Sequence, residues 1–223
     1  MKTINKKELL IGLLIIGGYL IIPSFLFIPL KPLVDKGILT ELSVNIVLLA
    51  ILAIILGIIF YKDLFKDLKD FKNNYKEIIK TSLKYWAIGL IIMYVSSILI
   101  ELFGLAPNVN QEANIKLLKE SPILEFIMAL FLAPFVEELV FRKSLIKAID
   151  NKHLFAITTG LLFAFIHVTS SLDEGMKMLF YLIPYGSVGI TFGYAYHKTK
   201  NIFGTMVVHS LHNLISLLLL ILL

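Results

Sequence analysis

The sequence predicts an all-α protein, a polytopic membrane bundle of about seven spanning helices with one amphipathic helix at the cytoplasmic surface. Three observations predict this fold class. Hydrophobic residues make up 58% of the 223 residues and charged residues only 17%, the mean hydropathy is +0.86, and apolar stretches of about 20 residues recur along the chain. The length favours a single membrane domain over residues 1–223. The absence of cysteine excludes disulfides, thiolate metal sites and cysteine nucleophiles.

Seven apolar stretches approach the length of about 20 residues that a spanning helix needs. They are Leu9–Leu30, Val44–Tyr61, Trp86–Leu105, Pro122–Ile149, His153–Thr169, Met176–His197 and Ile202–Leu223. The fourth stretch is longer than a span requires, and Pro184 predicts a kink in the sixth. The polar start resembles a signal peptide, but the apolar run after it is too long and lacks a small-residue cleavage site. We therefore expect a retained first span.

The lysine-rich segment Lys62–Trp86 is predicted to be an amphipathic helix rather than a span. Lysines and aspartates fill one face, and apolar residues recur on the other at spacings of three and four. These apolar residues are Leu64, Phe65, Leu68, Phe71, Tyr75, Ile78 and Ile79. The pattern is typical of a helix that lies on the cytoplasmic leaflet. A solvated cytoplasmic helix pair is the alternative.

The lysine distribution predicts the orientation in the cell membrane. With a cytoplasmic N-terminus, the inner side receives Lys2, Lys6, Lys7, the segment Lys62–Lys84, Lys143, Lys147, Lys152, Lys198 and Lys200. The outer side keeps only Lys31, Lys36, Lys116, Lys119 and Lys177. This excess of cytoplasmic lysine follows the positive-inside rule, so we expect a multi-pass protein with its C-terminus outside.

Two adjacent acids and the only arginine of the chain lie inside the fourth stretch. Glu138 and Arg142 are four residues apart, with the acid first, which is the better order for a helical ion pair. Arginine resists deprotonation and grips a carboxylate with parallel hydrogen bonds. Glu137 points about 100° away around the helix and is left for another task. The alternative is a structural ion pair near the inner interface, with Glu137 reaching towards the headgroups.

Further polar residues lie inside the fifth and seventh stretches. His167 ends the apolar run FAFIH, and His209 and Asn213 share one helical face in VVHSLHNLIS. A satisfied core histidine and interhelical hydrogen bonding are the ordinary structural alternatives. Glu101 and Glu125 are predicted to be interfacial, because they lie near the ends of their stretches.

The depths of these side chains in the membrane are similar. Measured from the cytoplasmic ends of the three stretches at about 1.5 Å per residue, Glu137 lies about 20 Å deep and His167 about 21 Å. His209 and Asn213 lie about 12 and 18 Å deep. The three helices can therefore bring one acid, two histidines and one amide into one cavity.

Such a set of groups supports hydrolysis without a covalent intermediate. Glu137, helped by His167, could deprotonate a water that attacks a peptide carbonyl. His209 and Asn213 could donate hydrogen bonds to the oxyanion. One glutamate and two histidines also suit zinc, but the HExxH spacing is absent. We therefore expect no cofactor, with zinc as the less favoured alternative.

Three motifs carry a family resemblance. They are EExxxR at Glu137–Arg142, FxxxH at Phe163–His167 and HxxxN at His209–Asn213. In this order they resemble the CPBP intramembrane proteases, which comprise the CAAX prenyl endopeptidases and the bacteriocin-processing and immunity (Abi) proteins. The resemblance covers roughly residues 120–215, whereas residues 1–105 match only in spanning the membrane. Relatives often have eight spans, one more than the seven predicted here.

The resemblance implies an all-α membrane fold whose active site opens towards the cytoplasm. It implies Glu137 and His167 as the water-activating pair and His209 and Asn213 as the oxyanion site. Glu138 and Arg142 would then be structural or substrate-positioning.

The main functional hypothesis is an intramembrane endopeptidase that cleaves a small peptide or a lipidated-protein tail near the inner leaflet. Bacteriocin processing or self-immunity is the linked role, and membrane lipid but no nucleic acid is an expected partner. The alternative is a non-proteolytic binding or immunity protein that sequesters a peptide or a partner. A transporter is disfavoured, because no repeated half-structure with paired broken helices is visible.

Overall fold

A computed structural model describes residues 4–103, 115, 117–169 and 178–222 of the chain. Within these ranges every regular element is helical, and the one β-type contact is an isolated bridge between Ile4 and Ile149. The predicted all-α membrane bundle is confirmed. Some residues named in the sequence predictions lie outside the described residues: Lys2, Leu105, Lys116, Met176, Lys177 and Leu223.

The described chain contains nine α-helices. They are α1 (Lys6–Phe27), α2 (Lys31–Asp35), α3 (Glu41–Ile59), α4 (Tyr61–Leu102), α5 (Pro122–Ile127), α6 (Ala133–Glu137), α7 (Lys152–Val168), α8 (Met178–Thr199) and α9 (Ile202–Leu222). A 3₁₀ turn, Ile28–Leu30, joins α1 to α2. Two π-helical segments, Met128–Leu132 and Glu138–Lys143, flank α6.

Four helical stretches of the described chain are long and apolar enough to cross a membrane. They are Lys6–Asp35, Glu41–Ile59, Tyr61–Leu102 and Ile202–Leu222. Lys152–Val168 is apolar but, at 17 residues, shorter. The protein is therefore a multi-pass membrane protein. Within the described residues, each of the seven predicted stretches is mainly helical.

Helix α4 joins two elements that the sequence predicted to be separate. The amphipathic segment and the third apolar stretch form one helix of 42 residues, so the expected boundary at Trp86 is absent. A kink occurs instead at Asn74, whose backbone is not helical (φ −123°, ψ 15°). The charged half before the kink packs partly on the bundle, since the rings of Phe71 and Phe203 lie 6.0 Å apart, while Phe65 remains 72% exposed.

The fourth apolar stretch is a broken helix rather than a regular span. Pro134 has no N–H to donate to the carbonyl one turn before it, which favours a local π-helical segment. Side chains of α9 bond to the carbonyls of this segment. Ser210 Oγ donates to Leu130 O at 2.7 Å, and Asn213 Nδ2 donates to Ala129 O at 2.8 Å. Helix α9 is thereby fixed against the stretch that carries Glu137.

Helix α7 packs closely on α8, and α9 packs closely on α4, at glycine positions. A Cβ added at Gly160 would lie 2.6 Å from Ile190 Cα, and one at Gly193 would lie 2.7 Å from Ala156 Cα. On α9, a Cβ at Gly204 would lie 2.8 Å from Ser82 Oγ of α4. These contacts leave no room for a side chain, so they fix the helices that carry the predicted site residues.

Candidate active site

The predicted pair of Glu138 and Arg142 is present and completely buried. Glu138 Oε1 lies 3.0 Å from Arg142 Nη1, and both side chains are 0% exposed. Arg142 Nη2 also donates to Gly189 O of α8 at 3.2 Å. The guanidinium lies over the rings of Phe163 and Phe192, at 4.7 and 5.7 Å, where cation–π attraction offsets part of the cost of burying its charge. One arginine thus joins the π segment to α7 and α8.

His209 joins the two glutamates. Its Nδ1 lies 3.0 Å from Glu138 Oε1, and its Nε2 lies 3.6 Å from Glu137 Oε2. Because an ionised carboxylate only accepts hydrogen bonds, Nδ1 carries the hydrogen that it shares with Glu138. The ring is buried and contacts Phe192 at 5.3 Å and Phe163 at 5.6 Å. The histidine is therefore held by Glu138 and turned towards Glu137.

Glu137 is the less constrained of the two acids. Its side chain is 12% exposed, whereas that of Glu138 is 0% exposed. Its 3.6 Å contact to His209 is longer than the 3.0 Å contact of Glu138 and longer than an ordinary hydrogen bond. A carboxylate held in this loose way keeps an oxygen available for a water molecule.

His167 is oriented by a backbone carbonyl. Its Nδ1 lies 2.8 Å from Phe163 O, one turn earlier on α7. A carbonyl oxygen can only accept, so Nδ1 carries a hydrogen and Nε2 keeps its lone pair in the neutral ring. The ring centroid lies 4.2 Å from that of Phe163, with the two planes tilted by 34°, and the ring stacks on Tyr185 at 5.3 Å. The FxxxH motif thus fixes the orientation of a histidine that keeps one acceptor nitrogen.

Asn213 and His212 have structural partners. Asn213 uses one amide hydrogen on Ala129 O, which leaves its second amide hydrogen for another acceptor. Trp86 Nε1 donates to His212 Nδ1 at 3.4 Å, so this histidine connects α9 to α4.

The two acids predicted to be interfacial differ in the structure. Glu101 is exposed at the end of α4. The side chain of Glu125 is only 2% exposed, because α5 packs against α3, and its Oε2 has no hydrogen-bond partner among the described residues. The sequence did not predict this burial.

Sequence reasoning also missed residues around the predicted set. Phe192 and Tyr185 of α8 contact the site histidines, but no motif spacing marks them. Asp67 of α4 and Lys143 form a buried ion pair at 2.6 Å. Because they are 76 residues apart, no local pattern could have revealed this pair.

The described side chains do not form a ready metal site. Among them, no group of three or more histidine, aspartate or glutamate residues is arranged to hold a metal ion. His209 directs one nitrogen to each glutamate, and His167 uses Nδ1 on a carbonyl. The choice between a metal-free and a zinc-dependent reaction stays a prediction.

One segment of the chain matches a known protein family. Residues 119–215 match the Rce1-like family, described as type II CAAX prenyl endopeptidase Rce1-like. An uncharacterized protein of Mycoplasma capricolum is 30% identical over 165 residues, which cover 69% of this chain and 47% of that protein. The UPF0177 protein YvdC of Lactococcus lactis is 33% identical over 150 residues, 62% of this chain and 55% of YvdC. No solved structure matches the chain.

A second Lactococcus lactis protein, the UPF0177 protein YxdF, is 26% identical over 138 residues, which cover 58% of this chain and 73% of YxdF. The chain spans about half the length of the first two relatives. All three motifs, from Glu137 to Asn213, lie within the matched segment. Residues 119–215 are therefore similar to the Rce1-like family, which confirms the resemblance predicted from those motifs.

Proposed function

We propose that this protein is an intramembrane endopeptidase in which Glu137 activates the water that hydrolyses a peptide bond. The observation that carries the proposal is that His209 lies 3.0 Å from Glu138 but 3.6 Å from Glu137. Glu138 is buried against Arg142 and His209, whereas Glu137 keeps a looser contact and a partly exposed carboxylate. The family description of the matched segment supports the same reaction class.

In the proposed reaction Glu137 acts as the general base. Its carboxylate takes a proton from water as the water oxygen bonds to the carbonyl carbon of the scissile peptide. The proton then passes to the amide nitrogen as the carbon–nitrogen bond breaks, which releases an amine and a carboxylic acid. His167 orients the water through its Nε2 lone pair. Neither step needs a covalent enzyme intermediate.

His209 and Asn213 are the proposed oxyanion donors. In the doubly protonated ring, His209 Nε2–H is the donor that faces Glu137, beside which the tetrahedral oxygen would form. Asn213 adds the amide hydrogen that Ala129 O does not use. Donors that are fixed before the reaction stabilise the developing charge without reorganising. Glu138 and Arg142 hold His209 in place and do not take part in proton transfer.

The proposed substrate is a small peptide or the tail of a lipidated protein near the inner leaflet. The residues that surround the acids are aromatic and aliphatic, which suits a partly apolar chain. Bacteriocin processing or self-immunity is the proposed role, with the N-terminus in the cytoplasm and the C-terminus outside.

A non-proteolytic binding or immunity protein is the second candidate. The bond from Asn213 to Ala129 O favours it, because an amide that joins two helices acts as interhelical glue. In that case the polar residues hold the bundle together, and the protein sequesters a peptide or a partner.

The decisive experiment measures cleavage of a quenched fluorescent peptide library that includes lipidated peptides, by protein purified in detergent. Glu137→Gln is expected to lower kcat by about 100-fold or more, since general-base catalysis contributes roughly that factor. Its thermal stability should match that of the wild type, because the change is isosteric. Glu101→Gln, at an exposed acid of α4, is the matched control and should cleave normally.

Chelation of the wild type separates the two chemical versions of the proposal. Activity that survives chelation supports the metal-free reaction. Loss on chelation with recovery on added zinc supports the zinc-dependent reaction. A folded wild type that cleaves no member of the library would contradict the proposal and favour the binding protein.

A further inference from the structure

We infer that Asp67, on the charged half of α4, is a positioning residue for the reaction. The inference rests on the proposed function. The carboxylate of Asp67 connects the π segment that carries Glu138 and Arg142 to the helix that carries His209. Asp67 would thus set the distance between the acids and the histidine without touching the substrate.

A single oxygen of Asp67 makes both connections. Asp67 Oδ2 accepts from Lys143 Nζ at 2.6 Å and from the backbone N–H of Ile202 at 3.3 Å. Lys143 is the last residue of the π segment, and Ile202 is the first residue of α9. Asp67 and Lys143 are buried, with 5% and 6% exposure. A displacement of this oxygen would therefore shift the π segment relative to the start of α9.

Asp67 also completes the start of α9. The first N–H groups of a helix have no partner within the helix, and a carboxylate at this end is favoured by the helix dipole. Asn201, which is fully buried, donates from Nδ2 to Asp67 O at 2.8 Å and to Asp70 Oδ2 at 2.8 Å. Helix α4 thus caps the start of α9 with the side chains of Asp67 and Asp70 and with the backbone carbonyl of Asp67.

The route from Asp67 to the site is short. Lys143 follows Glu138 by five residues in the π segment, and along α9 Ile202 is about 10.5 Å from His209, at about 1.5 Å per residue. Helices transmit a shift at one end over such distances. A displaced start of α9 would therefore change the 3.0 and 3.6 Å contacts of His209 with the two glutamates.

The chain offers a matched control one turn away. Asp63 and Lys147 form a 2.9 Å pair that also joins α4 to the chain just after the π segment. Their side chains are 30% and 61% exposed, and no bond from Asp63 to α9 is present among the described residues. If any ion pair between α4 and this part of the chain were enough to position the site, substitutions of Asp63 and Asp67 would change kcat equally.

The test compares Asp67→Asn, Asp63→Asn and the double variant Asp67→Asn/Lys143→Met. Three quantities are measured in detergent: the thermal midpoint, kcat and KM for a peptide that the wild type cleaves, and the ¹⁵N imidazole signals. The five histidines are labelled, and His209→Gln assigns the signal of His209. The imidazole signal needs no activity, so it tests Asp67 even where the proposed function fails.

Asp67→Asn should lower kcat by about 10-fold or more with little change in KM, since small misplacements of reacting groups carry penalties of this order. It should also shift the His209 signal. Asp63→Asn should stay within about 2-fold of the wild type, as exposed pairs contribute little. The double variant should regain thermal stability, because no uncompensated buried charge is left, while kcat and the His209 signal stay altered.

Two results would overturn the inference. Recovery of kcat and of the His209 signal together with stability in the double variant would show that Asp67 acts only through stability. Equal effects of Asp63→Asn and Asp67→Asn would show that the connection to α9 does not matter. If the wild type cleaves nothing, a His209 shift in Asp67→Asn alone still supports the positioning role and separates it from the failed proposed function.

Discussion

The N-terminal helices α1 and α3 and the C-terminal helices α7 and α8 are packed differently around several of their glycines. An added Cβ at Gly17 of α1 or Gly57 of α3 would meet nothing within 4 Å. At Gly160 of α7 and Gly193 of α8 it would overlap the backbone of a neighbouring helix. At these four positions the same residue type is therefore replaceable in α1 and α3 and required in α7 and α8. Gly12 of α1 is an exception within its helix, since an added Cβ there would lie 3.0 Å from Ser144 O.

Charged pairs show the same contrast. Lys31 and Asp35, after α1, form an i,i+4 pair whose side chains are 61% and 59% exposed. Glu138 and Arg142 form an i,i+4 pair whose side chains are 0% exposed. Spacing alone does not distinguish them, but their energetic roles differ because water screens only the first. The closely packed region is also the region in which the family match lies.

The largest expected effect comes from breaking the glycine contact between α7 and α8. Gly160→Val would push a branched side chain into the backbone of Ile190, 2.6 Å from its Cα. We expect a loss of more than about 3 kcal/mol, beyond the usual range for overpacking, since backbone cannot move aside as a side chain does. Thermal unfolding in detergent measures the change.

Gly17→Val is the matched control for this prediction. It adds the same side chain to α1, where nothing lies within 4 Å, so the thermal midpoint should stay close to that of the wild type. Equal destabilisation by the two variants would contradict the contrast between the two regions.

An intermediate effect is expected from removing one partner of the buried pair. Arg142→Met leaves Glu138 buried without its arginine partner, and breaking a buried pair in this way costs about 3 kcal/mol or more. Lys31→Met removes the same kind of partner from an exposed pair, which is worth about 0.3–0.5 kcal/mol. Thermal midpoints of the two variants, measured side by side, check the difference. A fall no larger in Arg142→Met than in Lys31→Met would show that the buried pair is not needed for stability.

Much of the fold could be predicted because its causes are local. Runs of about 20 apolar residues predict spanning helices wherever they occur, and the i,i+4 spacing placed Glu138 beside Arg142 before any contact was known. The three motifs also predicted the resemblance that the match of residues 119–215 confirms. Each of these inferences depends on spacing within one helix.

The remaining features depend on contacts between distant parts of the chain. The π segment Met128–Leu132 before α6 accepts hydrogen bonds from Ser210 and Asn213 of α9, about 80 residues later. The helical pattern predicted that Asp67 lies on a polar surface. It does not show that Lys143 and α9 pack against that surface. The roles predicted for Glu137, His167, His209 and Asn213 stay predictions until cleavage is measured.

The smallest expected effect is the acid sensitivity of the charged half of α4, which precedes the apolar half. Burial alone would raise the pKa of Asp63, but the hydrogen bond from Lys147 and the nearby lysine charges outweigh it and lower that pKa. Hydrogen bonds from Asn201 and Asn74 lower the pKa of Asp70. A lowered pKa means that each folded carboxylate contributes stability above its unfolded pKa of about 3.9 and loses it as the pH falls through the folded pKa.

The thermal midpoint of the wild type should therefore exceed that of Asp63→Asn/Asp70→Asn at pH 6, and the difference should shrink as the pH falls below about 4, where these carboxylates begin to protonate. Asp35→Asn, in the exposed N-terminal pair, is the control and should differ little from the wild type at either pH. A difference that persists undiminished at pH 3 would mean that these carboxylates stabilise α4 through shape rather than charge. The hydrogen bonds of Asp70 with Asn74 and Asn201 would then contribute more to stability than its ionisation. Acid would in that case not weaken the packing of α4 on the bundle.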